Sequence, residues 1–461
     1  MHALYRNKLK SPKEAVEVVQ SGNIVEYGYF NGKPVVCDQA LAARAEELQD
    51  VHVYSAVTLP PLPEVIAKKG SFVYHDWQFS KVTRMVQKMG LAYYSPILYH
   101  QVHDMYRDQV CQHRNVVICQ VCPMDDHGYF NLGPHNSETL VKMEHAETVI
   151  LEVNRHLPVC LGGAEESVHV SMVNAIVEAP EEQVPFAAPL LEPSEAERQI
   201  AEHVMEFIKD GSCIQLGIGG LPSAVGGLIA ESDLRDLGGH TEMFVDSYVE
   251  MIESGRMNGK RKFIDRHRVA FTFAIGSQRM YDFMDSNPAL ASYPVNYTND
   301  PRVICRLDDF VSINNAIQID LFSQVNAESM GPSQISGNGG MWDFVLGSQW
   351  SRGGKSFICL TSTFQKEGGE RQSRIVPRFS PGSITTIPRQ MVDYVVTEFG
   401  AVRMKGQPTW KRAELLVSVA HPDFREELIQ QAEAMNLWRP SREWVAFSPA
   451  ASEESTAAAG S

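Results

Sequence analysis

The feature that most limits what this chain can fold into is a phrase that occurs twice: a capped helix, a glycine stop, a short apolar strand and a glycine loop closed by proline. Near the start, Ser11-Pro12-Lys13-Glu14 supplies an N-cap, a proline at the first helical position and a glutamate placed to close a capping box. Ala15, Val16, Val18 and Val19 give that helix an apolar face. Gly22 stops it, and Ile24, Val25 and Tyr27 form a strand running into Gly28, Gly32 and Pro34. Midway along the chain Ser194-Glu195-Ala196-Glu197 caps a second helix, with Ile200, Val204, Phe207 and Ile208 on one face. It stops at Gly211, and Cys213, Ile214 and Leu216 lead into Gly217-Ile218-Gly219-Gly220-Leu221-Pro222. The stopping glycine and the loop glycine are six positions apart in both copies, 22 to 28 and 211 to 217. A second pair of segments, 146–153 and 392–399, shares the pattern of an acidic-flanked strand buried in a parallel sheet. Two matched pairs in one order predict a duplicated α/β domain.

A chain of 461 residues is long enough for two such domains, each with its own core. Four prolines and four acids interrupt the apolar pattern over 178–193, which marks an exposed linker and gives an N-terminal domain over 1–185 and a C-terminal one over 190–447. The last stretch, 448–461, is Ala, Ser and Glu without periodicity and is expected to be disordered. Within the halves, strands are expected at 51–57, 116–121, 268–274, 303–306, 357–360 and, last, 392–397, with helices at 223–229, 277–285 and 411–419. With 41 Lys and Arg against 56 Asp and Glu the net charge is −15, which argues against nucleic acid or an anionic membrane surface as partner. No apolar run reaches signal-peptide or membrane-span length, so a soluble, cytoplasmic protein is expected. Eight scattered cysteines fit reduced, buried thiols. Cys119 and Cys122 form a C-x-x-C pair but have no second pair at zinc spacing, so they read as strand residues and no metal is expected.

Several glycine loops are candidates for binding. Gly217, Gly219 and Gly220 sit where a strand meets a helix, the usual ligand position in open α/β sheets, and their exposed N–H groups suit negative charge. Pro222 replaces the third glycine of a dinucleotide fingerprint, which excludes a nicotinamide cofactor. Arg352-Gly353-Gly354-Lys355-Ser356 resembles the end of a phosphate loop, yet Gln349 stands where that loop needs glycine, so an ATP site is rejected and Lys355 is a solvated loop residue. Gly337, Gly339 and Gly340 belong to a second loop able to set a backbone N–H against a developing oxyanion, where one good donor contributes roughly 3 kcal/mol to the transition state. Glu242 follows the glycines Gly238 and Gly239 and precedes an apolar run. A carboxylate there, ionised at neutral pH on its ordinary pKa of about 4.3, could attack an activated acyl group without a general base. Glu328 is the rival nucleophile on local pattern. There is no H-E-x-x-H or G-x-S-x-G, so metal hydrolysis and a serine nucleophile lack support.

The segment His240-Thr241-Glu242-Met243-Phe244-Val245-Asp246 resembles the catalytic-glutamate segment of the acetyl-CoA hydrolase/transferase family, the class I coenzyme A transferases. The resemblance extends along almost the whole chain. It includes Pro123-Met124-Asp125-Asp126-His127-Gly128-Tyr129-Phe130-Asn131-Leu132-Gly133, with Cys122 where serine is common. It also includes the loop at 336–344, with Met341 where glutamine is usual, the turn at Glu398, Phe399 and Gly400, and His421-Pro422-Asp423-Phe424-Arg425. It implies two similar α/β domains with the active site between them, and ping-pong transfer of coenzyme A from an acyl-CoA to a small acid of the acetate, butyrate or 4-hydroxybutyrate class. Glu242 would carry the coenzyme as a glutamyl thioester. Gly217, Gly219, Gly220, Gly337, Gly339 and Gly340 would hold coenzyme A or the oxyanion, with Met341, Glu398 and Gly400 at the substrate pocket. Coenzyme A would be a substrate, with no tightly bound cofactor, and a homo-oligomer is implied. Acyl-CoA hydrolysis by the same glutamate, transfer to a dicarboxylate such as itaconate or succinate, and a noncatalytic coenzyme A-binding protein are the alternatives. His421 is expected to terminate a helix and pack.

Overall fold

The computed structural model describes residues 1–365 and 368–439, so the expected disorder of 448–461 lies outside the described residues. The chain forms two compact units. The first is made of 1–193, 208–313 and 334–355, the second of 194–207, 314–333 and the described residues from 356 onward.

The first unit is built on a seven-stranded sheet in the order Ala92–Tyr94, Phe72–Asp76, Val51–Ser55, Ile24–Tyr27, Arg114–Val121, Ala146–Val153 and Ala175–Glu178. Every adjacent pair is parallel, with Val25 beside both Val53 and Val116, and Ile118 beside Ile150. Alternation along the strands divides the core in two. Val25, Val53, Val116, Ile118 and Ile150 face one layer with Ala15, Val16, Cys37, Leu41 and Val86 from the helices Pro12–Val16, Val36–Ala42 and Lys81–Gln87. Val117, Cys119, Val121, Val149 and Leu151 face the other, with Met143 of helix Thr139–Glu144 and Phe130 and Val168 of the hairpin Tyr129–Asn131/Ser167–His169. Both faces are covered, which is why these strands read as continuous apolar runs. Cys119 and Cys122 are buried free thiols; burial pushes the Cys119 pKa up to about 12 and raises that of Cys122.

The capping box at Ser11 forms as expected, with the Ser11 hydroxyl taking the Glu14 N–H and the Glu14 carboxylate taking the Ser11 N–H. The helix runs only over Pro12–Val16, and Val18 lies outside it and is exposed rather than on its apolar face. Residues 179–193 carry no helix or strand. They are not loose throughout: Phe186 N–H donates to Asn31 Oδ1 at 2.8 Å, and its carbonyl accepts from Asn31 Nδ2 at 3.1 Å and from the Tyr281 hydroxyl at 3.1 Å.

Also in the first unit, Cys213–Gln215 lies between Gly238–Gly239 and the stretch 310–312, parallel to both. The expected strand at 268–274 is two, Val269–Phe271 paired with Leu290–Ser292 and Phe273–Ala274 paired with Met243–Phe244. The break falls where the N–H groups of Thr272 and Phe273 both donate to the Glu242 carbonyl, at 3.0 and 3.2 Å. The strand expected at 303–306 is instead a helix, Pro301–Ile304. Asp300 caps it through the Arg302 N–H with proline at its first turn, and this start signal overrides the strand preference of Val303 and Ile304.

In the second unit Ser194 and Glu197 close the expected capping box on helix Glu195–Met205. Lys355–Cys359 runs parallel to Tyr394–Thr397. That strand is not the last: Gly400–Arg403 folds back antiparallel on it, with Gly400 at φ +137° in the turn. His421 does not end a helix but begins one. Its ring accepts the Asp423 N–H at the start of Pro422–Ala434, while Arg371 Nη1 lies 2.8 Å from its other ring nitrogen.

Candidate active site

Glu242 stands on the link between Gly238–Gly239 and Met243–Phe244, its backbone fixed by the two amides on its carbonyl. Its side chain reaches the wall of a cavity of about 330 Å³, every described lining residue of which belongs to the first unit. Phe30, Trp77, Phe79, Tyr99, Phe186 and Phe273 form aromatic walls, and the polar lining is Glu242, Gln78, Ser336 and Asn338 with the backbone of Gly339. Among the described residues no lysine, arginine or histidine lines it.

Asn299 Nδ2 donates to the Glu242 carboxyl at Oε2, 2.7 Å away, and the Gly340 backbone N–H beside the carboxyl favours its charged form. Asn299 uses the same nitrogen to donate to Asp343 Oδ2 at 3.3 Å, so its amide is oriented by a carboxylate on either side. Asp343, fully buried in the first turn of helix Met341–Trp350, accepts the His100 N–H at 3.2 Å, and its Oδ1 lies 2.7 Å from His100 Nδ1. His100 is half-buried. Burial opposes its charge, but the hydrogen bond and charge of Asp343 outweigh that and raise its pKa.

These neighbours overturn the expectation of an already ionised nucleophile. Part of the Glu242 side chain faces the cavity, but protein encloses its carboxyl on the other sides. Burial first, and the Asp343 charge in addition, push the pKa up to about 8 against the opposing influence of Asn299 and Gly340. At neutral pH the protonated form is then favoured, and the anion, when it forms, is the more basic for it.

The two glycine loops differ in what they do around this carboxyl. Gly340 must lack a side chain, because a Cβ there would lie 2.1 Å from Glu242 Oε2 and 2.3 Å from Asn299 Nδ2. Gly339, at φ +47°, borders the cavity, but its N–H donates to Gln78 Oε1 at 3.2 Å, so that donor is engaged. Gly337 lies against the same side chain: Gln78 Nε2 is 3.3 Å from the Gly337 carbonyl, and a Cβ at Gly337 would come within 2.2 Å of Gln78 Oε1. Met341 is buried at the start of its helix and is not among the cavity's lining residues. Gly217 and Gly219 line a separate, smaller cavity of about 130 Å³, which shares Ala188, Ile218 and Ile275 with the first. A Cβ at either glycine would meet nothing within 4 Å, so the space beside them is open. Gly220 is buried and opens helix Gly220–Glu231.

Glu398 and Gly400 belong to the second unit. There the Glu398 carboxylate takes the Ser362 N–H at 2.8 Å and the Ser362 hydroxyl at 2.5 Å. Glu328 is also in that unit, buried, with the Thr386 hydroxyl on its Oε1 at 3.0 Å, and it lines neither cavity described here. Lys355 donates to the Gly353 carbonyl at 3.2 Å, an exposed loop contact. Among the described residues no group of His, Cys, Asp and Glu could hold a metal ion, and no helix is long and apolar enough to cross a membrane.

Asn299, Gln78, Asp343 and His100 escaped the sequence reading. Asp343 stands inside the loop motif at 336–344 and carried a signal; the other three have no local mark. The aromatic wall is braced from behind. The Tyr99 hydroxyl meets Ser137 Oγ, which meets Glu138. Glu138 belongs to a buried ion network in which Lys142 Nζ is 2.5 Å from Glu138 and 3.3 Å from Glu26, and Arg114 Nε is 2.6 Å from Glu26. Two acids and two bases cancel, the condition under which such charges tolerate burial.

A two-unit α/β chain with parallel sheets is the framework on which the comparisons with known proteins fall. The chain belongs to the acetyl-CoA hydrolase/transferase family: residues 1–188 match its N-terminal domain and 276–432 its C-terminal domain. It is 44% identical to a butyryl-CoA:acetate CoA-transferase of Anaerostipes caccae, over 95% of this chain and 98% of that protein. It is 45% identical to a probable butyrate:acetyl-CoA coenzyme A-transferase of Syntrophomonas wolfei, over 95% and 97% respectively. The crystal structure of RipA from Yersinia pestis is 35% identical and superposes with a TM-score of 0.86, covering 95% of this chain and 99% of that one. Relatives of this kind over the full length make the chain a coenzyme A transferase.

Proposed function

We propose that the enzyme moves coenzyme A between an acyl-CoA and a small apolar monocarboxylic acid of the acetate and butyrate class, with Glu242 as the nucleophile. The observation that carries this reading is a carboxyl group at the wall of an apolar cavity, with Asn299 Nδ2 donating to its Oε2 and Gly340 packed against it. A Glu242 oxygen attacks the thioester carbonyl; a C–O bond forms, the C–S bond breaks, and coenzyme A leaves as thiolate from a mixed anhydride. The thiolate then attacks the Glu242 carbonyl carbon, and the first acid departs as its carboxylate. With Oε1 as the attacking oxygen, the charge in this second addition develops on Oε2, which already accepts from Asn299, so that donor needs no rearrangement as it forms. An incoming carboxylate runs the sequence in reverse. No proton, metal or nucleotide is consumed.

The names of the relatives support the acetate and butyrate class. So does the lining, because a dicarboxylate would place a second charge against aromatic walls with no cation among the described lining residues. The same apolar walls disfavour water as acceptor. The test is butyryl-CoA with and without acetate. Transfer requires acetyl-CoA to appear only with acetate; thiol release at the same rate without any acid would mean hydrolysis, and no turnover in either would leave a binding protein.

A further inference from the structure

Asn299 holds the Glu242 carboxyl only while its own amide stays in place. It follows the one-turn helix Val295–Thr298, whose last carbonyl, that of Thr298, has no partner inside the helix. That carbonyl is met by a side chain the transfer steps do not use: His240 Nε2 lies 2.8 Å from it. A carbonyl only accepts, so Nε2 carries the hydrogen. Burial first, with the charge of Lys262 in addition, lowers the pKa of this ring to about 4, and the imidazole is neutral at physiological pH. Its other nitrogen, Nδ1, is buried and has no partner among the described residues. The ring is fully enclosed, with the rings of Tyr297 and Phe310 at centroid distances of 6.2 and 6.3 Å. If packing were its only task, a phenyl ring would serve there without burying an unpaired nitrogen. The backbone that carries the imidazole is itself pinned. The His240 N–H donates to the Ile214 carbonyl at 3.3 Å, and the buried Lys262 Nζ donates to the Gly239 carbonyl at 2.9 Å and the Arg268 carbonyl at 2.7 Å.

We propose that His240 is a positioning residue for coenzyme A transfer: its Nε2–H ties the Thr298 carbonyl to the segment that carries the nucleophile, and so seats the Asn299 amide on Glu242. The proposal rests on the role proposed for Glu242 and adds what keeps its donor in register. His240 stands two residues before Glu242, and Thr298 one before Asn299, so a single hydrogen bond sets the spacing of the two segments. Thr298 Oγ1 then donates to Asn299 Oδ1 at 3.1 Å, which turns Nδ2 toward Glu242 Oε2. A displacement of about 1 Å would stretch that 2.7 Å bond past hydrogen-bonding range. The charged groups that act on the imidazole are Lys262 and Asp265; those that act on the Glu242 carboxyl are Asp343 and, bonded to Asp343, His100. The Asn299 bond holds the Glu242 pKa below where burial alone would put it, so losing the tie moves the rising limb of kcat/KM to higher pH. A loss of folded protein alone lowers the rate at every pH and leaves the limb where it was.

The experiment uses the full chain with butyryl-CoA as donor and acetate as acceptor, and records kcat and kcat/KM across the pH range for wild type, His240→Phe, His240→Leu and His240→Gln. Phe keeps the ring and removes the donor, Leu does the same in a smaller volume should Phe not be accommodated, and Gln returns an amide donor at nearly the reach of Nε2. The expected result for a folded donor-less variant is kcat down by about tenfold or more, with the rising limb displaced upward by about 0.5 pH unit or more. His240→Gln returns the limb to its wild-type position and kcat to within about threefold. A folded Phe or Leu variant whose limb has not moved overturns the proposal, however slow it is, because the residue is then structural only. A Gln variant displaced as far as Phe, or unable to fold, overturns it too, since the donor is then not what matters. Glu242→Gln in the same assay separates this from the proposed function. If Glu242→Gln is inactive and the limb stays put in His240→Phe, the proposal alone falls; if Glu242→Gln still transfers, the proposed nucleophile is wrong and the proposal falls with it.

Discussion

Gly340→Ala separates the position of the nucleophile from the stability of the fold. Gly340 has φ −90° and ψ 8°, a conformation alanine adopts, so the backbone need not rearrange. The added methyl would lie 2.1 Å from Glu242 Oε2 and 2.3 Å from Asn299 Nδ2, whereas non-bonded heavy atoms prefer about 3.5 Å. The carboxyl must therefore retreat by more than ~1 Å, and misplacement on that scale costs about 100-fold in rate. Displacing the Asn299 donor removes a further interaction of the kind that accounts for ~100-fold or more. Steady-state kinetics should show kcat down by at least ~100-fold. Thermal unfolding supplies the control, with the loss held to the ~1–3 kcal/mol of a local overpacking. Gly227→Ala is the matching null: a Cβ there meets nothing within 4 Å, so activity stays and stability rises by ~0.5–1 kcal/mol from helix propensity. A folded Gly340→Ala enzyme with kcat within threefold of wild type would refute the placement of Glu242 against this loop.

Three further outcomes follow from the electrostatics. On the proposed mechanism the Glu242 anion is the attacking form, and with its pKa pushed up to about 8 kcat/KM should climb with pH toward a plateau above that value; Asp343→Asn, by removing a repelling charge, should move the rising limb to lower pH, and His100→Gln, by removing the group that offsets Asp343, to higher pH, as pH-rate profiles would show. In the unfolded chain the same carboxyl ionises near 4.5, so folding penalises its charge: the cost is absent below that pH and grows as pH rises to about 8. Glu242→Gln should accordingly stabilise the protein at pH 8 by at most ~4 kcal/mol and leave it unchanged at pH 4, measured by denaturant unfolding. Lys142→Ala leaves Glu138 and Glu26 buried with one base between them and should cost ~3–5 kcal/mol in the same assay, together with a lower kcat as the Tyr99 wall loosens.

What the sequence made legible was local. Ser11 and Ser194 closed their capping boxes because the partner lies three residues away, and the apolar runs at Val116 and Ile150 became buried parallel strands because nothing but a sheet covered on both faces suits them. Glu242 was marked by its motif, not by its surroundings. Those surroundings come from far along the chain: Asn299 is 57 positions from Glu242, His100 is 243 from Asp343, and Gln78 is 261 from Gly339. No periodicity or turn rule connects residues at such separations, and the raised pKa of Glu242 could not be read without them. The helix at Pro301–Ile304 was missed for a different reason. Asp300-Pro301 is a legible start, but the apolar pair Val303 and Ile304 carries a strand pattern that competes with it. Gly400–Arg403 was missed because its four residues, Gly400, Ala401, Val402 and Arg403, show little strand pattern until the Tyr394–Thr397 edge is there to pair with.

The central claim is that Glu242 becomes covalently joined to coenzyme A through sulfur. Intact-protein mass spectrometry after incubation with butyryl-CoA, followed by peptide mapping with borohydride trapping, tests it directly. The account predicts a gain of the coenzyme A mass on the peptide carrying Glu242, reversed by adding acetate and absent in Glu242→Gln. No adduct in an enzyme that turns over, or an adduct on any other residue, would contradict it.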